Sequence, residues 1–249
     1  MTKTVLITGA SSGIGWATAE KLAHLGYQTI LCGRREERLK KLQQALPTPS
    51  HILCFDVSNR RAVSQAIDQI PKAFQPIDLL INNAGNAHGL DVSHEASLDD
   101  WDAMIDGNVK GLLYVTKAVL PQMIERCQGQ IINVGSIAGK EAYPKGNVYC
   151  ASKAAVDSFT QGLRVDTNPY GLRIGAIHPG LVETEFSEVR FKGDQQRAES
   201  VYSTITALSA ADVADAIAYM AEAPPHVTLA DVTLLPTDQA SAYVINRRS

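Results

Sequence analysis

The sequence predicts a doubly wound α/β fold, a parallel seven-stranded sheet with helices on both faces. Three features predict it: short runs that are apolar almost throughout, longer segments of 3.6-residue apolar periodicity between them, and a glycine-rich turn joining the first run to the first helix. A strand covered on both faces has no polar side to show. Runs such as VLIT, DLLIN and QIINV therefore read as interior strands. Alternating strands and helices imply parallel pairing through right-handed crossovers.

Taken in order, the first strand spans Thr4 to Thr8 and the first helix Gly13 to Leu25. Strands at Gln28 to Cys32, His51 to Phe55 and Asp78 to Asn82 alternate with helices at Arg35 to Leu46 and Arg60 to Ile70. A long helical pattern, Leu98 to Cys127, precedes the strand Gln130 to Val134. The helix Val148 to Asn168, the strand Arg173 to Ile177, the helix Ala210 to Ala223 and the strand Val227 to Leu235 complete the series. Pro71, Pro76 and Pro169 fall near predicted ends, whereas Pro121 lies inside the long pattern and is expected to kink or split it. The segment Leu181 to Ser203, polar and of mixed charge, fits the alternation poorly. It is expected to be a mobile excursion over a ligand crevice, with a plain surface insertion as the alternative. With no repeat, low-complexity tract or long linker, one domain over residues 1–249 is expected.

Composition narrows the function. At 45% apolar and 20% charged residues, the chain is ordinary globular protein. A net charge of -3 argues against nucleic acid or an anionic membrane as the main partner. Neither a signal-peptide pattern nor a run long enough to span a bilayer is visible. Cys32, Cys54, Cys127 and Cys150 are widely spaced and read as reduced, mostly buried thiols, which suits the cytoplasm. The six histidines show no metal-ligand spacing, His88 and His94 being the nearest pair, so no metal is expected.

The turn after the first strand reads Thr8-Gly9-Ala10-Ser11-Ser12-Gly13-Ile14-Gly15. Gly9 lets the chain leave the strand sharply, Gly13 permits backbone approach to a pyrophosphate, and Gly15 lets the helix pack on the sheet. Helix amides and dipole then favour the anion, so the turn reads as a Rossmann-like dinucleotide site. The second strand ends in Arg34 and Arg35, where an NAD enzyme would place an acidic residue. Two guanidiniums there fit a 2′-phosphate, which points to NADP(H). Asp56 and Val57, ending the third strand, are placed for the adenine edge.

Several segments together resemble the short-chain dehydrogenase/reductase family: TGASSGIG (8–15), NNAG (82–85), Asn108, the serine of NVGS (133–136), Tyr149-Cys150-Ala151-Ser152-Lys153 and Pro179-Gly180. They follow the family's order over essentially the whole chain. NNAGNAHG, MIDGNVKGLLYVTKAVLP and LVETEFSEVRFKGD resemble more closely its NADP-dependent 3-hydroxy acid dehydrogenases, which oxidise serine, allo-threonine and related acids. The resemblance implies a hydride transfer between nicotinamide and a secondary alcohol or carbonyl, and a homotetramer built on the two long helices. It also implies that Asn108 sits where a long helix is perturbed and anchors a water leading to Lys153. Asn83, Ala84 and Gly85 would turn beside the cofactor ribose, and Ser11, Ser12, Ile14, Pro179, Gly180 and Val182 would join the cofactor site.

The reactive residues also read without the family. Tyr149 and Lys153 are four apart in a helical segment and share a face. A phenol near pKa 10 lies roughly 4 kcal/mol from being a usable base at neutral pH. The Lys153 ammonium and the positive nicotinamide together are expected to favour the phenolate, and Lys153 to hold the nicotinamide ribose. Ser136 offers its hydroxyl to the substrate oxygen. Cys150, beside Tyr149, has no apparent activating base, and His178 reads as a polar residue at the crevice edge. For a hydroxy acid, Phe186, Arg190 and Lys192 offer a wall and a cation, Arg190 being the expected carboxylate ligand. The alternative is a solvated charged helix, since Arg190 is interleaved with Glu183, Glu185 and Glu188. Two other functions compete: a broad NADPH-dependent carbonyl or 3-oxoacyl reductase, and a cofactor-sensing regulator without turnover. The intact Ser136, Tyr149 and Lys153 set argues against the regulator.

Overall fold

A computed structural model of the chain describes residues 2–247. In chain order the elements are β1 (Thr4–Thr8), α1 (Gly13–His24), β2 (Gln28–Gly33), α2 (Glu36–Ala45), β3 (Ser50–Cys54), α3 (Arg60–Asp68) and β4 (Leu79–Asn82). Then follow α4 (Leu98–Ile105), α5 (Gly111–Glu125), β5 (Gln130–Val134), α6 (Asn147–Thr167) and β6 (Arg173–Pro179). A short β7 (Val182–Glu183), α7 (Phe186–Arg190), α8 (Gln195–Ser200) and β8 (Leu208–Ser209) precede α9 (Ala210–Glu222) and β9 (Asp231–Leu234).

The main sheet is seven-stranded and parallel, ordered β3-β2-β1-β4-β5-β6-β9. Alternate side chains of one strand serve opposite layers. Val5 and Ile7 of β1 pack with Ala19 and Leu22 of α1 and with Val213 and Ile217 of α9. Leu6 turns the other way, onto the layer holding Val63, Val115, Val119 and Leu163. That two-sided burial is why the strands carry no polar face. Strand order reverses between β1 and β4, and the carboxyl ends there open a crevice of the kind that holds ligands in such sheets.

Three expectations need correction. Pro121 does not split the long helix, because α5 runs through it. Pro121 and Lys117, whose carbonyl loses its N–H partner, are both exposed, so solvent replaces the missing bond. The interruption falls instead at a π turn, Asp106–Lys110. The last strand is shorter than expected, Asp231–Leu234, because the chain from Pro224 first makes a turn closed by Val227 N–H on the Pro224 carbonyl. All four cysteines are free, but only Cys32 and Cys150 are buried, while Cys54 and Cys127 are exposed. Among the described residues, no helix is long and apolar enough to cross a membrane.

Candidate active site

A crevice of about 600 Å³ runs along the carboxyl ends of the strands, within the size range of small-molecule and cofactor sites. Loops after β1, β2, β3, β4, β5 and β6 reach it. The segment from Leu181 to Tyr202 forms much of the opposite wall, so it is built into the site rather than a plain surface insertion.

At one end lies the glycine turn. Gly9 and Gly13 have φ of +67° and +52°, the left-handed region that suits glycine. A Cβ on Gly15 would stand 2.4 Å from the Gly9 carbonyl oxygen, so this glycine serves helix packing and lies behind the crevice wall. Asn83 ties β4 to this turn: its side chain donates to the Thr8 carbonyl at 2.9 Å, while the Thr8 hydroxyl accepts from Asn83 N–H and Ala84 N–H. Those bonds set Asn83, Ala84 and Gly85 on the crevice wall beside Ser11, Ser12 and Ile14.

Both arginines after β2 line this end, with unequal settings. Arg34 is mostly exposed and pairs with Asp56 at 3.4 Å. Arg35 donates to Ser11 Oγ at 3.1 Å, to Ser12 Oγ and to Glu185 at 2.8 Å. Arg38, one turn along α2, also reaches Glu185. Asp56 and Val57 line the crevice below. Guanidiniums, two serine hydroxyls and a loop whose glycines leave room for a close anion form a donor set that fits a dinucleotide carrying a 2′-phosphate.

Ser136, Tyr149 and Lys153 come together in the middle of the crevice. Ser136 lies two residues beyond β5, and its hydroxyl stands close enough to the Tyr149 phenol to favour the phenolate. Lys153 is 6% exposed, and its Nζ donates to the Val134 carbonyl at 2.9 Å. Burial pulls its pKa down to about 8. Burial pushes the Tyr149 phenol well above its ordinary value, and the neighbouring Tyr143 adds to the rise. The groups that favour its phenolate are Ser136, through its hydroxyl, and Arg190, through its charge. Lys153 is turned onto a backbone carbonyl, and burial disfavours its own charge.

Asn108 lies in the π turn, where a perturbed helix was expected, but it does not reach the crevice wall. Its Oδ1 accepts from Asn86 N–H at 2.7 Å, and its Nδ2 donates to the Asn86 carbonyl and to Ser152 Oγ. The amide thus pins the turn after β4 to the helix that carries Tyr149 and Lys153. A Cβ on Gly85 would be 3.0 Å from Asn108 Oδ1 and 3.6 Å from Lys153 Nζ, which fits a glycine at that position.

The excursion supplies the wall over the tyrosine. Phe186 packs its ring 5.6 Å from that of Tyr149. The Arg190 guanidinium stands 5.4 and 5.8 Å from the ring centroids of Tyr143 and Tyr149. Its Nε donates to the Gly89 carbonyl at 3.1 Å, and Gly89 N–H returns a bond to the Arg190 carbonyl. The surrounding carboxylates are committed elsewhere, Glu185 to Arg35 and Arg38, and Asp100 to Lys192. Arg190 is therefore a crevice cation rather than one member of a solvated charged helix, whereas Lys192 is largely exposed and outside the crevice lining. Pro179, Gly180 and Val182 also line the crevice.

Sequence reading missed Tyr143, Arg38 and Glu185. Arg38 carries a signal, sitting three residues after Arg35 on one helix. Tyr143 lies in an irregular loop and Glu185 in the excursion, where periodicity says nothing. His178 needs correction as well. It is fully buried and absent from the crevice wall, because it faces away from it, toward Asp157 and Asp231.

A parallel sheet with its switch point between β1 and β4, a glycine turn and a Ser–Tyr–Lys group at the strand ends define a nucleotide-dependent oxidoreductase class. The short chain dehydrogenase family profile matches residues 3–195, and the chain belongs to that family. It is 44% identical over 246 residues to the NADP-dependent 3-hydroxy acid dehydrogenase YdfG of Salmonella typhi, covering 98% of this chain and 99% of that protein. It is 45% identical over 251 residues to sulfoacetaldehyde reductase 2 of Chromohalobacter salexigens, covering 99% and 100%. Among solved structures, the closed form of a serine dehydrogenase complexed with NADP+ superposes with a TM-score of 0.94 at 43% identity, covering 99% of this chain and 100% of that one.

Proposed function

We propose that this chain is an NADP(H)-dependent oxidoreductase whose substrate is a small 3-hydroxy acid, such as serine, allo-threonine or 3-hydroxypropionate, or the corresponding 3-oxo acid. The Arg190 guanidinium, stacked beside the Tyr149 ring inside the crevice, carries this reading. In 3-hydroxy acids one carbon separates the carboxylate from the carbon that reacts. Sulfoacetaldehyde, named for one relative, likewise has one carbon between its sulfonate and its carbonyl. A single cation a short distance from Tyr149 suits either anion.

Arg34, Arg35, Ser11 and Ser12 would hold the 2′-phosphate end, and Asn83, Ala84, Gly85 and Lys153 the nicotinamide ribose. The cofactor, when bound, supplies the acceptor or donor of hydride. Tyr149 takes the hydroxyl proton in oxidation and returns it to the oxygen in reduction. Ser136 donates to that same oxygen as negative charge gathers on it. Arg190 holds the carboxylate, and Phe186 excludes water from the face opposite the sheet. Asn108 acts through Asn86, keeping the β4 turn in register with α6.

A homotetramer in the cytoplasm belongs to the same reading, supported by Leu98 and Val165 standing exposed at 69% and 73% on the long helices; light scattering tests the assembly. The substrate test is Arg190→Met. KM should rise at least about tenfold for serine and 3-hydroxypropionate and change little for a neutral ketone. Equal effects on both substrates would reject Arg190 as the carboxylate ligand and favour a broad carbonyl reductase.

A further inference from the structure

Behind Ser136, on the side of the sheet end away from the crevice, three donors converge from three elements. His178 comes from β6, Asp157 from α6 two turns beyond Tyr149, and Asp231 from the start of β9. His178 is fully buried; neither ring nitrogen makes a hydrogen bond of good distance and angle among the described residues, the Ser136 backbone being close enough only to favour the protonated ring. Its Nε2 lies 3.6 Å from Asp157 Oδ1 and 3.6 Å from Asp231 Oδ1, too far for a hydrogen bond. The outer oxygens are already used, since Lys140 Nζ donates to Oδ2 of both aspartates. The two Oδ1 atoms and Nε2 therefore face one another on the inner side, with the lysine behind the carboxylates.

We propose that Asp157 Oδ1, His178 Nε2 and Asp231 Oδ1 form a divalent-metal site, best suited to zinc, that pins β6, α6 and β9 together beneath the Ser136 backbone. Metal–donor bonds of about 2.0–2.2 Å place the donors of a tetrahedral site about 3.3–3.6 Å apart, close to the observed spacing. An imidazole between two carboxylates suits zinc over calcium or magnesium, which prefer oxygen donors alone. A metal on Nε2 would give the buried imidazole the partner it lacks, and such orphans are costly. Entry is open, because the Asp231 side chain is 44% exposed while Asp157 is 15% exposed, and water on that side completes the fourth position. Lys140 holds and orients the carboxylates from outside, as an outer-shell partner does. The site touches the catalytic strand end: a Cβ on Gly135 would stand 2.5 Å from His178 Nδ1, so the ring braces the backbone next to Ser136. Sequence spacing hides this set, since its members lie at positions 157, 178 and 231.

The test uses untagged protein stripped with a chelator and titrated with Zn2+ against a chromophoric competitor, with Co2+ as a visible-spectrum probe. One equivalent should bind per chain, and a hundredfold excess over Kd should raise the unfolding midpoint by about 5–10 °C. His178→Gln should weaken binding at least about a hundredfold, and Asp231→Asn, an exposed change that spares the fold, at least about tenfold. Lys140→Gln should tighten it, because the ammonium repels a dication at this distance. No binding would overturn the proposal. So would binding that survives both His178→Gln and Asp231→Asn, which would place the ion at the exposed thiols Cys54 or Cys127.

Discussion

Replacing Lys153 with methionine should make the free protein more stable while removing its activity. The ammonium is nearly sealed from solvent and has one backbone acceptor, the Val134 carbonyl. Burial lowers its pKa from 10.5 to about 8, roughly 2.5 units, and at 1.36 kcal/mol per unit the folded protein opposes the charged form by about 3 kcal/mol. The folded value lies below the unfolded one. Below about pH 8 both states are protonated and the whole penalty is present; between about pH 8 and 10.5 the unfolded chain binds the extra proton, so stability rises with pH. Methionine keeps the stem and loses the charge, at the cost of the Val134 hydrogen bond. A gain of about 1–3 kcal/mol at pH 7 is therefore expected, together with loss of the pH-dependent rise. Urea unfolding of both proteins at intervals from about pH 7 to pH 10.5 measures the difference, and other titrating groups cancel between them. Parallel curves across that window would refute the reasoning. Such stability held back at a reacting group fits a residue kept for function.

Tyr149→Phe should abolish turnover while leaving NADP+ binding nearly intact, measured by steady-state rates and cofactor titration. Because burial holds the wild-type phenol above its ordinary value, oxidation, which needs the phenolate, should accelerate from about pH 7 to pH 9, while reduction, which needs the protonated phenol, stays nearly flat across that window. Arg34→Asp should weaken NADP+ relative to NAD+ by at least about tenfold; unchanged selectivity would move the phosphate contact to Arg35 and Ser12. Asn108→Ala strands both the N–H and the carbonyl of Asn86 and should destabilise the fold by about 2–4 kcal/mol in urea unfolding, with kcat falling alongside.

The scaffold was legible wherever burial imposes a pattern. Strands sealed on both faces must be apolar almost throughout, which is why Thr4–Thr8 and Gln130–Val134 match their sequence reading residue for residue. The glycine turn was legible because Gly9 and Gly13 hold positive φ, a requirement written in residue type. Tyr149 and Lys153 were paired by helical spacing, and the crevice receives both. Their electrostatics were not legible. Whether an ammonium acidifies a phenol depends on where its Nζ points and how much water each group keeps, and a four-residue interval contains neither. Periodicity alone did not show the π turn at Asp106–Lys110, which only the family resemblance pointed to at Asn108: one extra residue in a turn leaves the apolar stripe nearly unchanged, while Pro121 gives a loud signal that exposure renders harmless.

The poor fit of residues 181–203 to the strand–helix alternation has a physical explanation in what they touch. Elements that build the sheet are selected for apolar burial, and this segment is held by both ends of the crevice instead. Glu185 grips Arg35 and Arg38 at the phosphate end, its neighbour Phe186 meets the Tyr149 ring, and Arg190 lies over the same ring one turn later. Six residues thus span from the Arg35 and Arg38 guanidiniums to the Tyr149 ring. The ion pairs of Glu185 are each more than a third exposed, so each contributes at most about 1 kcal/mol. Both pairs act through one carboxylate, which ties the segment to α2 at the phosphate end. A segment under those demands needs charges at fixed places and little apolar surface, so its sequence reads as a loop while its position makes it half of the site.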